Sequence, residues 1–105
     1  MNGVRKMATE DCNRQQKDKI SEFEKELASL RKASHVSQSK LGKKIGLSRQ
    51  FVSEIELGKA QMSWSTYVAA VNFFAVNGNK IIDTFINEHA KFVKQYMKNE
   101  AGENK

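Results

Sequence analysis

The chain has no proline, one cysteine and six glycines in 105 residues. Without proline, no amide donor is missing anywhere along the backbone, so breaks between elements must come from glycine and from Asn-rich turns. A single thiol, Cys12, excludes an intramolecular disulfide framework and a cysteine zinc site, and it reads as a reduced side chain in a polar segment. No apolar run reaches the roughly 18 residues that a membrane span needs. No hydrophobic signal segment opens the sequence, so the expected compartment is the cytoplasm. His35 and His89 lie far apart, and neither has a second His or Cys at ligand spacing. Nothing resembles a nucleophile elbow or a Gly-rich phosphate loop. The expectation is a non-enzyme with no catalytic residue, no metal and no cofactor.

What is present is positive charge and helical periodicity. Eighteen Lys and Arg against twelve Asp and Glu give a net charge of +6. The mean hydropathy is −0.64 and the pI about 9.6. Such a balance fits an anionic partner such as nucleic acid. The excess is concentrated. Residues 35–60 hold Lys40, Lys43, Lys44, Arg49 and Lys59 against Glu54 and Glu56 only, while the flanking segments are nearly balanced. The length allows one domain with a small core.

Residues 1–18 are polar, mixed in charge and free of an apolar stripe, and read as a tail or a frayed helical lead-in. Arg5 and Lys6 could form a basic arm, but Glu10 and Asp11 offset them. Ile20, Phe23, Leu27 and Leu30 recur at spacings of three and four, which predicts a first amphipathic helix over residues 18–33. Ser37 is placed to cap a second helix, Ser48 a third and Ser63 a fourth. The fourth carries Trp64, Tyr67, Val68, Ala70, Val71 and Phe74, enough apolar surface to close a core. Asn77-Gly78-Asn79 is a break. A long stripe follows over residues 79–99, with Ile81, Ile82, Phe85, Ile86, His89, Phe92, Val93, Tyr96 and Met97 recurring every three to four positions. Its second half outruns a compact domain. Phe85, Ile86, His89, Phe92, Val93 and Tyr96 therefore read as a dimerisation face, the alternative being that the helix folds back along the first helix. Residues 100–105 read as a tail.

The most informative string is Q-S-K-L-G-K-K-I-G-L-S-R-Q-F-V-S-E-I-E, residues 38–56. Leu41 and Ile45 are i,i+4, and Val52 and Ile55 are i,i+3, so each of two short helices buries one stripe. Gly46 suits a tight turn that needs a positive φ, and Gly42 suits a close helix crossing. Two helices so joined form a helix-turn-helix. This pattern resembles the lambda-repressor/Cro-like helix-turn-helix family, also called the XRE family. Leu30-Arg31, Ser37-Gln38 and Glu56-Leu57-Gly58-Lys59 extend the match to residues 20–76. Met62 stands where that family often has proline. Gly42 replaces the more usual alanine, a change worth about 1 kcal/mol of helix propensity.

The resemblance implies an all-α fold: a compact five-helix DNA-binding domain over residues 19–78 with an extended C-terminal helix. It implies a recognition helix at about 48–56, with Arg49, Gln50, Ser53 and Glu54 facing base edges. Arg49 suits guanine, Gln50 adenine and Glu54 the cytosine amino group, or Glu54 pairs with Arg49. Gln38, Ser48, Lys40, Lys43 and Lys59 fall where phosphates are held. Glu56 is expected to act within the domain rather than on DNA. The implied function is a dimeric repressor bound to double-stranded DNA at an inverted repeat. The alternative is an antitoxin that neutralises a toxin and controls its own promoter. Toxin and polymerase are the candidate protein partners. No membrane partner is expected.

Overall fold

The computed structural model describes the backbone of residues 2–103 and the side chains of residues 14–97. Within them the chain forms six helices: α1 (Asn2–Lys25), α2 (Leu27–Ala33), α3 (Gln38–Ile45), α4 (Arg49–Glu56), α5 (Trp64–Asn77) and α6 (Lys80–Glu103). No strand occurs among the described residues. The all-α class holds, but the expected five helices are six. The first stripe is divided at Glu26, whose amide bonds back to the Phe23 carbonyl, a tightened i→i−3 turn, before Leu30 resumes i→i−4 bonding to Glu26. The helix also begins at Asn2, so the segment read as a tail or lead-in is helical in its backbone. The side chains of Arg5, Lys6, Glu10, Asp11 and Cys12 lie outside the described residues.

Local chemistry explains the boundaries. Ser37, Ser48 and Ser63 each accept the amide three residues on, from Lys40, Phe51 and Thr66, at 3.0, 3.1 and 3.2 Å. These bonds satisfy first-turn donors that a helix cannot satisfy itself. Gly46 ends α3 in the left-handed region at φ 80°, as the turn requires. Asn79 begins α6 by accepting the Ile81 amide at 3.0 Å, and its amide nitrogen donates to the Ala33 carbonyl at 2.8 Å. That second bond ties the start of α6 to the end of α2.

Gly42 has a reason stronger than the sequence implied. A Cβ there would collide with the Leu47 backbone carbonyl, so even a methyl group is too large. The lost helix propensity is the cost of a close α3–α4 crossing.

The core is built from the expected stripes. Phe23, Leu27, Leu30, Leu41, Val52, Ile55, Tyr67, Val71 and Phe74 are all buried, and Phe73 and Met62 join them. Phe23 is the hub, with ring centroids of Tyr67, His89, Phe74 and Phe85 within 5.4, 5.5, 6.2 and 6.3 Å. Edge-to-face pairs of this kind add to plain area burial. Glu24 accepts the Met62 amide at 2.5 Å and pins the loop after α4 to α1. Burial pushes its carboxyl above the ordinary range, and the Met62 bond partly restores it.

The α6 stripe is partly covered within the single chain. Ile86, His89 and Val93 are only 2%, 1% and 5% exposed within the single chain. Phe85 and Phe92 pack against the same core. Tyr96 and Phe92 stack near Trp64, at 5.2 and 6.0 Å, and the Lys19 amine lies 5.7 Å over the Phe92 ring. Ile86, His89 and Val93 are thus covered within the single chain, while Phe85, Phe92 and Tyr96 stay partly exposed, and Lys19, Glu22 and Phe23 of α1 meet α6 as in the fold-back alternative.

One polar contact is sealed in this core. The Tyr67 hydroxyl and His89 Nδ1 are 2.6 Å apart, and His89 Nε2 lies 4.0 Å from the Glu22 carboxylate. Burial, then the Lys19 charge, lowers the His89 pKa, while Glu22 and Glu88 pull it back upward. The native state thus favours neutral imidazole, with Tyr67 donating to Nδ1. Burial and Glu22 raise the Tyr67 pKa, which keeps its hydroxyl protonated.

Two outcomes are expected. Gly42→Ala should lower stability by about 1–2 kcal/mol in urea unfolding, because the displaced carbonyl outweighs the helix propensity gained. The His89 contribution is fully present above the unfolded value near 6.5 and is lost as pH falls from there through the lower folded value. Melting temperature should therefore drop between pH 7.5 and 5.5, and His89→Gln should flatten that dependence while lowering the melting temperature at pH 7.5.

Candidate nucleic-acid interface

The interface is built on α4, whose two faces differ sharply. Val52 and Ile55 are 0% and 2% exposed and anchor it to the core. Phe51 is half-buried and packs against the same core, as its apolar ring requires. On the other side Arg49 and Gln50 are exposed, and Ser53 and Glu54 are half-exposed. The packing of α3 on α4 brings Gln38 to the same place. Gln38, Arg49, Gln50 and Ser53 line one shallow open hollow between the first turns of the two helices. Four of the expected contact residues, eleven to fifteen positions apart across the turn, thus converge.

The remaining sites are distributed around that hollow. Ser48 is exposed, and its oxygen is engaged as the α4 cap, which leaves its hydroxyl hydrogen free to donate outward. Lys40, Lys43, Lys44 and Lys59 are all exposed. Lys59 follows Gly58, which adopts φ 79°, so the chain turns sharply just beyond α4. The expected Arg49–Glu54 ion pair does not form among the described residues. Residues five apart on a helix lie about 140° around its axis, beyond the i,i+3 and i,i+4 neighbours that meet. Glu54 therefore remains an uncompensated acceptor beside the hollow.

Beneath the surface sits a charged anchor. Arg31, in the last turn of α2, places Nε and Nη2 on the two oxygens of Glu56 at 2.8 and 3.1 Å. Its Nη1 donates to the Val36 carbonyl at 3.2 Å, which braces the α2–α3 connection. Gln38 Nε2 then donates to Glu56 Oε1 at 3.0 Å. The two charged side chains are only 14% and 8% exposed. Burial would raise the Glu56 pKa, but the bonds from Arg31 and Gln38 and the nearby charges of Arg31 and Lys32 hold it below the ordinary value. Glu56 thus acts within the domain, as its position in the motif implied. The sequence gave Arg31 only as part of the family match and Gln38 only as a phosphate contact. The signal for both bonds was the spaced set Arg31, Gln38 and Glu56, whose members are remote in sequence and meet only when three helices pack.

A hydrophobic staple from one side, a cap at the start and a buried carboxylate at the end thus fix α4 as a rigid, outward-facing helix. That is the architecture of a helix-turn-helix protein. A family model of the helix-turn-helix domain matches residues 22–81, more than half of the chain. The protein belongs to that family, in keeping with its resemblance to the lambda-repressor/Cro-like proteins. No curated protein and no solved structure matched the chain.

Breaking the anchor has a defined outcome. Arg31→Met should leave the Glu56 carboxylate unpaired in a largely buried position and cost about 2–4 kcal/mol in chemical unfolding at pH 7. The double change Arg31→Met with Glu56→Leu should recover part of that loss, since no charge is then stranded.

Proposed function

We propose that the protein is a sequence-specific DNA-binding transcriptional regulator that acts as a dimeric repressor at an inverted repeat. The observation that carries this reading is the hollow where Gln38, Arg49, Gln50 and Ser53 meet on the solvent side of α4. Arg49, Gln50 and Ser53 offer a guanidinium fork, an amide and a hydroxyl, the groups that match base edges in the major groove, and Gln38 stands beside them as a phosphate contact. Around them lies the most basic part of the chain, residues 35–60, with five cations against two carboxylates. Backbone phosphates supply the affinity in such complexes and base edges supply the choice of sequence.

In this reading α4 enters the major groove with its N-terminal turn foremost. Arg49 takes guanine O6 and N7, and Gln50 takes adenine N6 and N7. Ser53 and Glu54 meet later bases, with Glu54 accepting from a cytosine amino group. Ser48, Lys40, Lys43 and Lys59 hold phosphates on either side. Two copies place two such helices about 34 Å apart, one helical turn of DNA. Repression is steric: the bound pair covers a promoter. Half of the α6 stripe, Ile86, His89 and Val93, is already covered within one chain. Val76 and Ile81, each 81% exposed on either side of the α5–α6 break, are apolar residues open to a second copy.

A binding selection from a random duplex library at physiological salt tests this. An enriched inverted repeat with centres one or more turns apart is the expected result. An unenriched pool would sink the reading. On the selected site, Arg49→Ala should cost about 1–3 kcal/mol and relax preference at one base position. Lys59→Ala should weaken all sequences alike and reduce the salt slope by about one ion.

A further inference from the structure

The anchor beneath the interface reaches its surface at one point, and that point is Gln38. The side chain has two roles available and has committed part of itself to one. Its Nε2 donates to Glu56 Oε1 at 3.0 Å. A carboxylate can only accept, so the bond fixes which end of the amide faces inward. The carbonyl end has no protein partner among the described residues, and the same side chain lines the hollow with Arg49, Gln50 and Ser53. Glu56 in turn cannot swing away. The Arg31 fork holds both its oxygens, at 2.8 and 3.1 Å, and the pair is nearly sealed from solvent. Bidentate geometry of this type restricts orientation as well as adding attraction.

We propose that Glu56 is a positioning residue for DNA recognition, which acts through Gln38 by holding that amide in one orientation at the edge of the hollow. This rests on the DNA-binding reading above. It assigns to a carboxylate that never touches DNA a share of the affinity. The physical reason is pre-organisation. A glutamine free in solvent samples many rotamers and both amide orientations, and ordering it on binding costs free energy that a pre-ordered side chain does not lose again. A purely structural Glu56 would instead act by keeping the domain folded, with no preference for any one surface residue.

A double-mutant cycle separates the two roles. Wild type, Glu56→Gln, Gln38→Met and the double variant are compared on the selected duplex, at a temperature where circular dichroism shows each one folded. Glu56→Gln should weaken binding about three- to tenfold in the wild-type background, the range of one hydrogen bond. It should have almost no effect once Gln38 is Met. Both single variants should weaken different duplex sequences by about the same factor, as the loss of a backbone contact does. Equal losses in both backgrounds overturn the proposal, and so does unaltered binding by folded Glu56→Gln. A second measurement uses the unmutated protein and does not depend on variant folding. The Gln38 side-chain amide signals in nitrogen-15 spectra should move with the Glu56 carboxyl as it titrates. Signals at the free-amide position that ignore that titration overturn it as well. Failure of the wild type to prefer any duplex would overturn the DNA reading itself, and the positioning role with it, and is recognisable because it appears before any variant is made.

Discussion

The close crossing of α3 and α4 at Gly42 is the constraint on which the remaining arrangement depends. The Leu47 carbonyl occupies the space where any side chain at position 42 would begin. With the helices that near, Leu41 and Ile45 meet Val52 and Ile55 in a single buried layer. The same approach carries Gln38, at the start of one helix, beside Arg49, at the start of the next. A wider crossing would thin the core and separate the contact residues together. Stability and recognition therefore share one geometric requirement, which explains the tolerance of a helix-interior glycine.

A second layer of control comes from charges kept away from water. Arg31 and Glu56 connect the last turn of α2 with the last turn of α4, and Gln38 joins α3 to both. Buried ion pairs contribute little net stability compared with apolar packing, but they penalise every arrangement that separates them. In this chain the penalty falls on any rotation of α4 that would redirect Arg49 and Gln50. Apolar packing alone would hold α4 down without fixing its rotation so closely.

The opposite end of the molecule answers a different problem. Helix α6 carries a long row of large apolar residues, and α1 and α5 meet them through the rings of Phe23, Tyr67 and Trp64. The sealed Tyr67–His89 bond lies in that seam. It satisfies a buried imidazole that would otherwise be costly, and it links the packing of α6 to the protonation of one side chain. This part of the chain serves the scaffold, whereas the hollow that Gln38, Arg49, Gln50 and Ser53 line lies on α3 and α4.

The sequence by itself determined helices α3 to α6, the three serine caps and the helix-turn-helix unit, but not the start of α1 or its division from α2. Stripes at spacings of three and four, serine caps and Gly46 are local features, set by neighbours within a turn or two of the backbone. The exposed set Arg49, Gln50, Ser53 and Glu54 follows from the same periodicity, since whatever alternates with Val52 and Ile55 must face outward. Tertiary structure alone decided where each stripe was spent. The contacts of Lys19, Glu22 and Phe23 of α1 with Phe85, His89 and Phe92 of α6 are of this kind, since no periodicity states which of two apolar faces will pair. The Arg31–Glu56–Gln38 anchor, the Glu24–Met62 bond and the Tyr67–His89 contact join residues 18 to 38 positions apart. Such contacts have no local signature, because polar partners are chosen by the packing of helices, and that packing exists only in the folded chain.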